Sequence, residues 1–228
     1  VPVKRSYAEH GDACATAHAL ELLGDRWTYP VLREVLLAPK RFGELQAAVR
    51  GVTPAVLTTR LRELEDVGLV RHVVLDPPAS VPVYEATDWA KQLAPALDAL
   101  GRWAQESPTR RVDGCGLTPD ATAQSMRTMA PTRGLQPPVE LQLVLHDARS
   151  DRAFAYDYRV AWDADGLVIT RGRAASPAAV VHADSSTWAR VLYEGAPLDS
   201  DAVVVDGDLA AVQRVVAQFA TAAPGPEP

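Results

Sequence analysis

Between Thr53 and Arg62 the chain carries side chains able to read DNA bases. On a helix turning about 100° per residue, Ala55, Thr58, Thr59, Arg62 and Asp66 share one side, opposite Leu57, Leu61 and Leu64. Threonine can hydrogen-bond a base edge or touch a thymine methyl, and arginine can grip guanine O6 and N7. Thr53 and Pro54 would open that helix as cap and first residue. Lys40, Arg41 and Arg71 are candidates for phosphate, a contact that positions a protein without specifying sequence. Arg60 falls nearer the packed side. The same spacing also describes an ordinary amphipathic helix with a solvated outer face.

A second group lies downstream. Met126, Met129, Phe154, Tyr156, Tyr158, Trp162, Trp188 and Leu192 are the large apolar side chains of the second half. They could line a pocket for an apolar ligand or fill a core. Cys14 could sense oxidants, or serve as a small buried hydrophobe in the first helix. Cys115 sits in a stretch of linker composition. No Walker loop, nucleophile-elbow pentapeptide, paired-histidine metalloprotease signature or Cys-x-x-Cys is present. Among the histidines His182 has Asp184 two residues on, and alternate strand residues alone make no metal site. No enzyme activity, metal or cofactor is expected.

These residues need elements to hold them. The 228 residues, 47% hydrophobic and 23% charged, have a globular composition. No apolar run approaches the ~20 residues of a membrane span, no signal-peptide core opens the chain, and two cysteines are too few for a disulfide framework. A cytoplasmic protein without membrane partners is expected. Charge is uneven. Residues 1–111 hold 14 Lys and Arg against 14 Asp and Glu, and residues 112–228 hold 9 against 15, so the net −6 belongs to the second half. Any DNA contact must come from a local surface of the first.

Helical periodicity marks Ala13–Leu23, Asp25–Leu37 (with Pro30 near its first turn), Phe42–Val49, the capped helix from Thr53 to Gly68, and Trp89–Gln105. Between the last two, Leu69–Leu75 and Val81–Ala86 form a hairpin with a proline-containing tip. After a linker, Thr118 opens a helix running to Met129. Period-two alternation then marks strands at Leu141–Leu145 and Phe154–Val160. Asp165-Gly166 turns into a strand at Leu167–Thr170, further strands are expected at Ala178–Ala183 and Ala202–Val205, and helices at Ser186–Tyr193 and Asp208–Phe219. The fold class is α+β: a winged helix-turn-helix, then a mostly antiparallel sheet with helices on one face. Expected boundaries are 1–106, a linker at 107–116, a second domain at 117–221 and a frayed tail at 222–228.

The first half resembles the HxlR family of winged helix-turn-helix regulators across residues 5–105. Cys14, Ala19–Thr28, Leu32–Glu34, Arg41–Leu45, Leu57, Arg60–Glu65, Gly68-Leu69, Pro78-Ala79, Tyr84 and Thr87–Trp89 carry the likeness. The resemblance implies a homodimer built by the first and last helices of the domain, Cys14–Leu23 and Trp89–Gln105. Its partner would be double-stranded DNA, an operator with two half-sites. Pro30 departs from the pattern, and no Lys or Arg occurs between Asp76 and Ala86 at the wing tip. Residues 117–220 resemble the sterol carrier protein type-2-like domain through Leu167–Gly172, Pro177–Asp184, Trp188 and Gly207-Asp208. That likeness implies a tunnel for a lipophilic small-molecule effector. Two alternatives stay open: a lipid carrier whose winged domain only dimerises, and a redox-responsive regulator acting through Cys14.

Overall fold

The computed structural model describes residues 7–112, 114–152, 154–198 and 201–220, so the expected tail at 222–228 lies outside the described residues. In the first half α1 (Ala15–Leu23), α2 (Thr28–Leu36), α3 (Phe42–Ala48) and α4 (Pro54–Asp66) precede a hairpin of β1 (Val70–Val74) and β2 (Pro82–Ala86), then a short α5 (Asp88–Lys91). Pro30 falls in the first turn of α2, where its missing amide would have had no helical partner. Thr53 caps α4, its hydroxyl oxygen accepting from the Val56 amide at 3.3 Å. Gly68, at φ +75°, closes the helix in the left-handed conformation. Leu57, Leu61 and Leu64 pack with Val31, Leu32, Val35, Leu45 and Val49 in one core. This is the expected winged helix-turn-helix, with α3 and α4 as the paired helices and β1–β2 as the wing.

Lys40 joins that wing from outside it. Its backbone exchanges two hydrogen bonds with Tyr84, at 2.9 and 2.8 Å, forming a bridge beside β2. The pairing turns its side chain inward, where Nζ lies 2.5 Å from Glu34 Oε2 and both side chains are fully buried. Arg33 completes the site with Nε 3.1 Å from Glu34 Oε1. Lys40 therefore cannot reach a phosphate, which corrects its expected role.

The helix expected over Trp89–Gln105 is two helices, α5 and α6 (Ala94–Gln105). Pro95 has no amide to bond the Lys91 carbonyl, and its ring crowds that oxygen, so the helix stops and restarts. The chain packs as two compact units, 1–93 and 94–228, which puts α6 in the second. The reason is its attachment to α7 (Pro119–Met129). Asp98 accepts from Arg127 Nε at 3.2 Å and from the Thr128 hydroxyl at 2.8 Å, while Arg102 donates to the Thr128 carbonyl at 3.1 Å. Gly101 permits the approach, since a Cβ there would lie 3.1 Å from the Thr128 methyl.

The rest of the second unit comprises β3 (Val139–His146), β4 (Ala155–Asp163), β5 (Gly166–Arg171), β6 (Ala179–Asp184), α8 (Ser185–Tyr193), β7 (Val203–Gly207) and α9 (Leu209–Ala220). The sheet order is β5-β4-β3-β6-β7. Three pairings are antiparallel, but the fourth, of the central strand β3 with β6, is parallel, so the sheet is mixed. Leu141, Leu143, Leu145, Tyr158, Val160, Trp162 and Val181 fill the buried face, while Val168, His182 and Val204 point outward. Among the described residues no helix is long and apolar enough to cross a membrane.

Removing one member of a buried ion pair leaves its partner's charge uncompensated. Lys40→Met is expected to destabilise the first unit by about 3 kcal/mol in urea unfolding, and adding Glu34→Leu should recover most of that loss. A single variant as stable as the parent would contradict the buried pair.

Candidate functional site

The leucine stripe holds α4 so that Ala55, Thr59 and Arg62 are exposed and Thr58 lies half-buried at the flank. The expected outer face therefore exists as a surface. Each of its threonines is tied to its own helix. Thr58 Oγ1 donates to the Pro54 carbonyl at 2.8 Å, and Thr59 Oγ1 donates to the Ala55 carbonyl at 3.1 Å. Thr53 and Pro54 stand exposed at the start of the helix. Arg60 is structural: it reaches Asp25 Oδ2 at 2.7 Å and Glu63 Oε2 at 2.6 Å.

The phosphate candidates separate. Arg41 is exposed at the N-cap of α3, where its backbone amide donates to Glu44 Oε2 at 2.9 Å. Arg71 is half-exposed on β1 and bound to Glu85 across the hairpin at 2.6 Å. Lys40 is inside. Sequence reasoning passed over Arg50, which is exposed in the turn joining α3 to α4. Its signal was its place, a cation in the turn that leads to the Thr53 cap.

Cys14 is exposed at the N-cap of α1, not buried in it, which corrects the small-hydrophobe reading. The backbone amides of Ala17, then Thr16, stabilise its thiolate and lower the thiol's pKa from its ordinary value. Cys115 is exposed as well. Neither α1 nor α6 contains a buried residue, and Leu20 of α1, Trp89 of α5, and Leu100 and Trp103 of α6 are exposed apolar side chains.

In the second unit Met126, Tyr158, Trp162, Trp188 and Leu192 are buried, and Met129, Phe154 and Tyr156 are half-buried. Phe154 stacks on Tyr156 at 6.4 Å, and the Arg171 guanidinium lies 3.9 Å above the Tyr156 ring. Tyr158 donates its hydroxyl to Asp120 Oδ1 at 2.6 Å, and Arg171 donates to that same oxygen and to the Tyr158 hydroxyl, both at 3.0 Å. Burial, then the Asp120 charge, pushes the Tyr158 hydroxyl well above the ordinary tyrosine range. Sequence reasoning missed Asp120 and Arg171. Asp120 looks like a routine acid in the first turn of a helix, and only the β4–β5 register brings Arg171 opposite Tyr158. The indole nitrogens of Trp162 and Trp188 are buried and have no hydrogen-bond acceptor among the described residues.

Known proteins resemble the first half. A family model described as HxlR-like helix-turn-helix matches residues 22–111. YvaP, an HTH-type transcriptional regulator of Bacillus subtilis (strain 168), is 37% identical over 89 residues, which span 39% of this chain and 82% of that protein. Rv3095, an HTH-type transcriptional regulator of Mycobacterium tuberculosis (strain ATCC 25618 / H37Rv), is 36% identical over 92 residues, 40% of this chain and 58% of its own length. The reduced form of the transcriptional regulator YodB from B. subtilis aligns with a TM-score of 0.39 at 26% identity, covering 43% of this chain and 97% of that one.

The raised Tyr158 pKa links stability to pH. A hydroxyl whose folded pKa exceeds its unfolded value, about 10, contributes fully below that value and loses its contribution as pH rises beyond it. The second unit is therefore expected to weaken above about pH 10, and Tyr158→Phe should flatten that loss while lowering stability near neutrality by roughly 1–2 kcal/mol. Denaturant unfolding across pH checks both. An unchanged alkaline slope in the variant would contradict the assignment.

Proposed function

Since the chain belongs to the HxlR-like helix-turn-helix family, we propose that this transcriptional regulator works as a homodimer on double-stranded DNA. Its operator carries two half-sites about one helical turn apart, and a lipophilic small molecule held in the second unit adjusts its affinity. The observation that carries the reading is α4: capped at Thr53, locked on its leucine side, and presenting Ala55, Thr59 and Arg62 with Thr58 at their edge. Arg62 grips guanine in the major groove, while Arg41, Arg50 and Arg71 lie against phosphate. The apolar helices α1 and α6 support the dimer, because a helix with no buried residue and with side chains such as Leu20, Leu100 and Trp103 outside gains by packing on a second copy.

The second unit is read as sterol-carrier-like, with an apolar ligand among Met126, Met129, Phe154, Tyr156, Tyr158, Trp162, Trp188 and Leu192. The two indole N–H groups support a ligand that carries hydrogen-bond acceptors. Regulation requires that the ligand favour one of two dimer arrangements over the other. The clamp of Asp98 on Arg127 and Thr128 supports a route for it, since α6, the helix assigned to the dimer, is bonded to α7 within the same unit that would hold the ligand.

Purified protein titrated into DNA from its own upstream region is expected to bind more tightly than to scrambled DNA, with an affinity that falls as salt rises. Arg62→Ala should cost about 1–3 kcal/mol and relax the preference at one base pair. Equal, weak binding to both DNAs would favour the reading of a lipid carrier with a winged dimerisation scaffold. The withdrawal of Lys40 from the surface and the pairing of Arg71 already lend that reading some support.

A second mode of control draws on Cys14, exposed and with its thiol pKa lowered. Peroxide treatment is expected to lower operator affinity in the parent protein and to leave Cys14→Ser unaffected. An oxidant-insensitive parent protein would remove this mode.

A further inference from the structure

We infer that Thr58 and Thr59 recognise thymine methyl groups instead of hydrogen-bonding base edges, so that each half-site sets T·A pairs beside the one G·C pair held by Arg62. This inference rests on the reading of α4 as the DNA-recognition helix. It goes further by naming the base composition that the helix selects.

A threonine has a single O–H donor, and a backbone carbonyl can only accept. In the 2.8 Å contact of Thr58 with the Pro54 carbonyl and the 3.1 Å contact of Thr59 with the Ala55 carbonyl, the hydroxyl must therefore be the donor. Both protons are committed to the helix itself. The same bonds lay each Oγ1 back along the preceding turn, and a β-branched side chain has few alternative χ1 settings on a helix. Each hydroxyl oxygen can still accept but can no longer donate, and it is held against its own helix, so we take the methyl as the group that meets the base. Ala55, exposed on the same side, adds a third.

Guanine offers only acceptors, N7 and O6, on its major-groove edge, and thymine offers a C5 methyl. A face of three methyls has nothing to donate to guanine and fits thymine by apolar contact. Arg62 is the donor of that face and takes the guanine.

Thr53 has the opposite arrangement. Its oxygen accepts from the Val56 amide, so its proton stays available. At the start of α4 that proton suits a phosphate oxygen. Three threonines of one helix thus divide between positioning and reading according to which half of the hydroxyl the helix already uses.

The test selects duplexes from a random-sequence DNA library with the full-length protein, then measures affinity for the enriched site. Enrichment of T·A pairs flanking a conserved G·C pair is expected. Replacing those thymines by uracil, which removes only the methyl, should weaken binding about fourfold per contact, the worth of one buried methyl. Thr58→Val and Thr59→Val keep the methyl and the branched shape, so they should bind within about twofold of the parent and stay sensitive to uracil. Thr58→Ser and Thr59→Ser lose the methyl and should lose the sensitivity. Circular dichroism of each variant separates these effects from loss of fold. If the valine variants lose the base preference, or uracil has no effect, the methyl inference is overturned while DNA recognition by α4 stands. If the library yields no enriched sequence, both are overturned.

Discussion

The outer face of α4, the face proposed to meet DNA, depends on the burial of Leu57, Leu61 and Leu64. These side chains fix the rotation of α4 about its own axis, and a slip of one residue would swing the helix by about 100°. Such a slip would carry Arg62 away from the exposed face and bring a leucine to it. The stripe packs on Val31, Leu32 and Val35 of α2 and on Leu45 and Val49 of the α3 region, so the exposed face of α4 is set by the whole core of the first unit. Thr53 and Gly68 then fix the ends of the helix. The outer face is short, small and weakly polar, which suits close approach to a groove.

Electrostatics limit what that face can do alone. The balanced charge of the first half reflects cations already engaged inside the unit: Lys40 with Glu34, Arg60 with Asp25 and Glu63, and Arg71 with Glu85. Among the described residues Arg41, Arg50 and Arg62 stay exposed beside these engaged cations, and the wing tip adds none. On this account base contacts carry a larger share of DNA affinity than in a strongly basic reader. The second unit keeps its own charges inward in a similar way, with Asp120, Arg171 and Tyr158 bonded to one another under the sheet. There they hold the start of α7 against β4 and β5, and α6 is bonded to the other end of α7.

Local signals made much of this legible in the sequence. The Thr53-Pro54 start, the leucine stripe and Gly68 defined α4 without any structure, and strict alternation found β3 and β4. What sequence hid was long-range. Lys40 reads as a surface cation in a turn, and only its backbone pairing with Tyr84, far along the chain, turns it inward toward Glu34. The parallel pairing of β3 with β6 joins strands separated by two others, and no local pattern encodes that choice. Asp120 and Arg171 lie 51 residues apart and meet through the sheet register. Pro95 was a visible breaker, but the apolar periodicity on either side of it masked the break between α5 and α6. The apolar pattern of α1 left burial of Cys14 open, and the structure removes it, since α1 has no buried residue in a single copy of the chain.

The central claim is that α4 reads DNA from a two-fold dimer. Hydroxyl-radical footprinting of the full-length protein on its selected site tests this most directly, because it reports backbone protection base by base. The account predicts two protected patches about 10 base pairs apart, related by the two-fold axis and both lost in Arg62→Ala. Uniform protection without phase, or a single patch unaffected by that substitution, would contradict it.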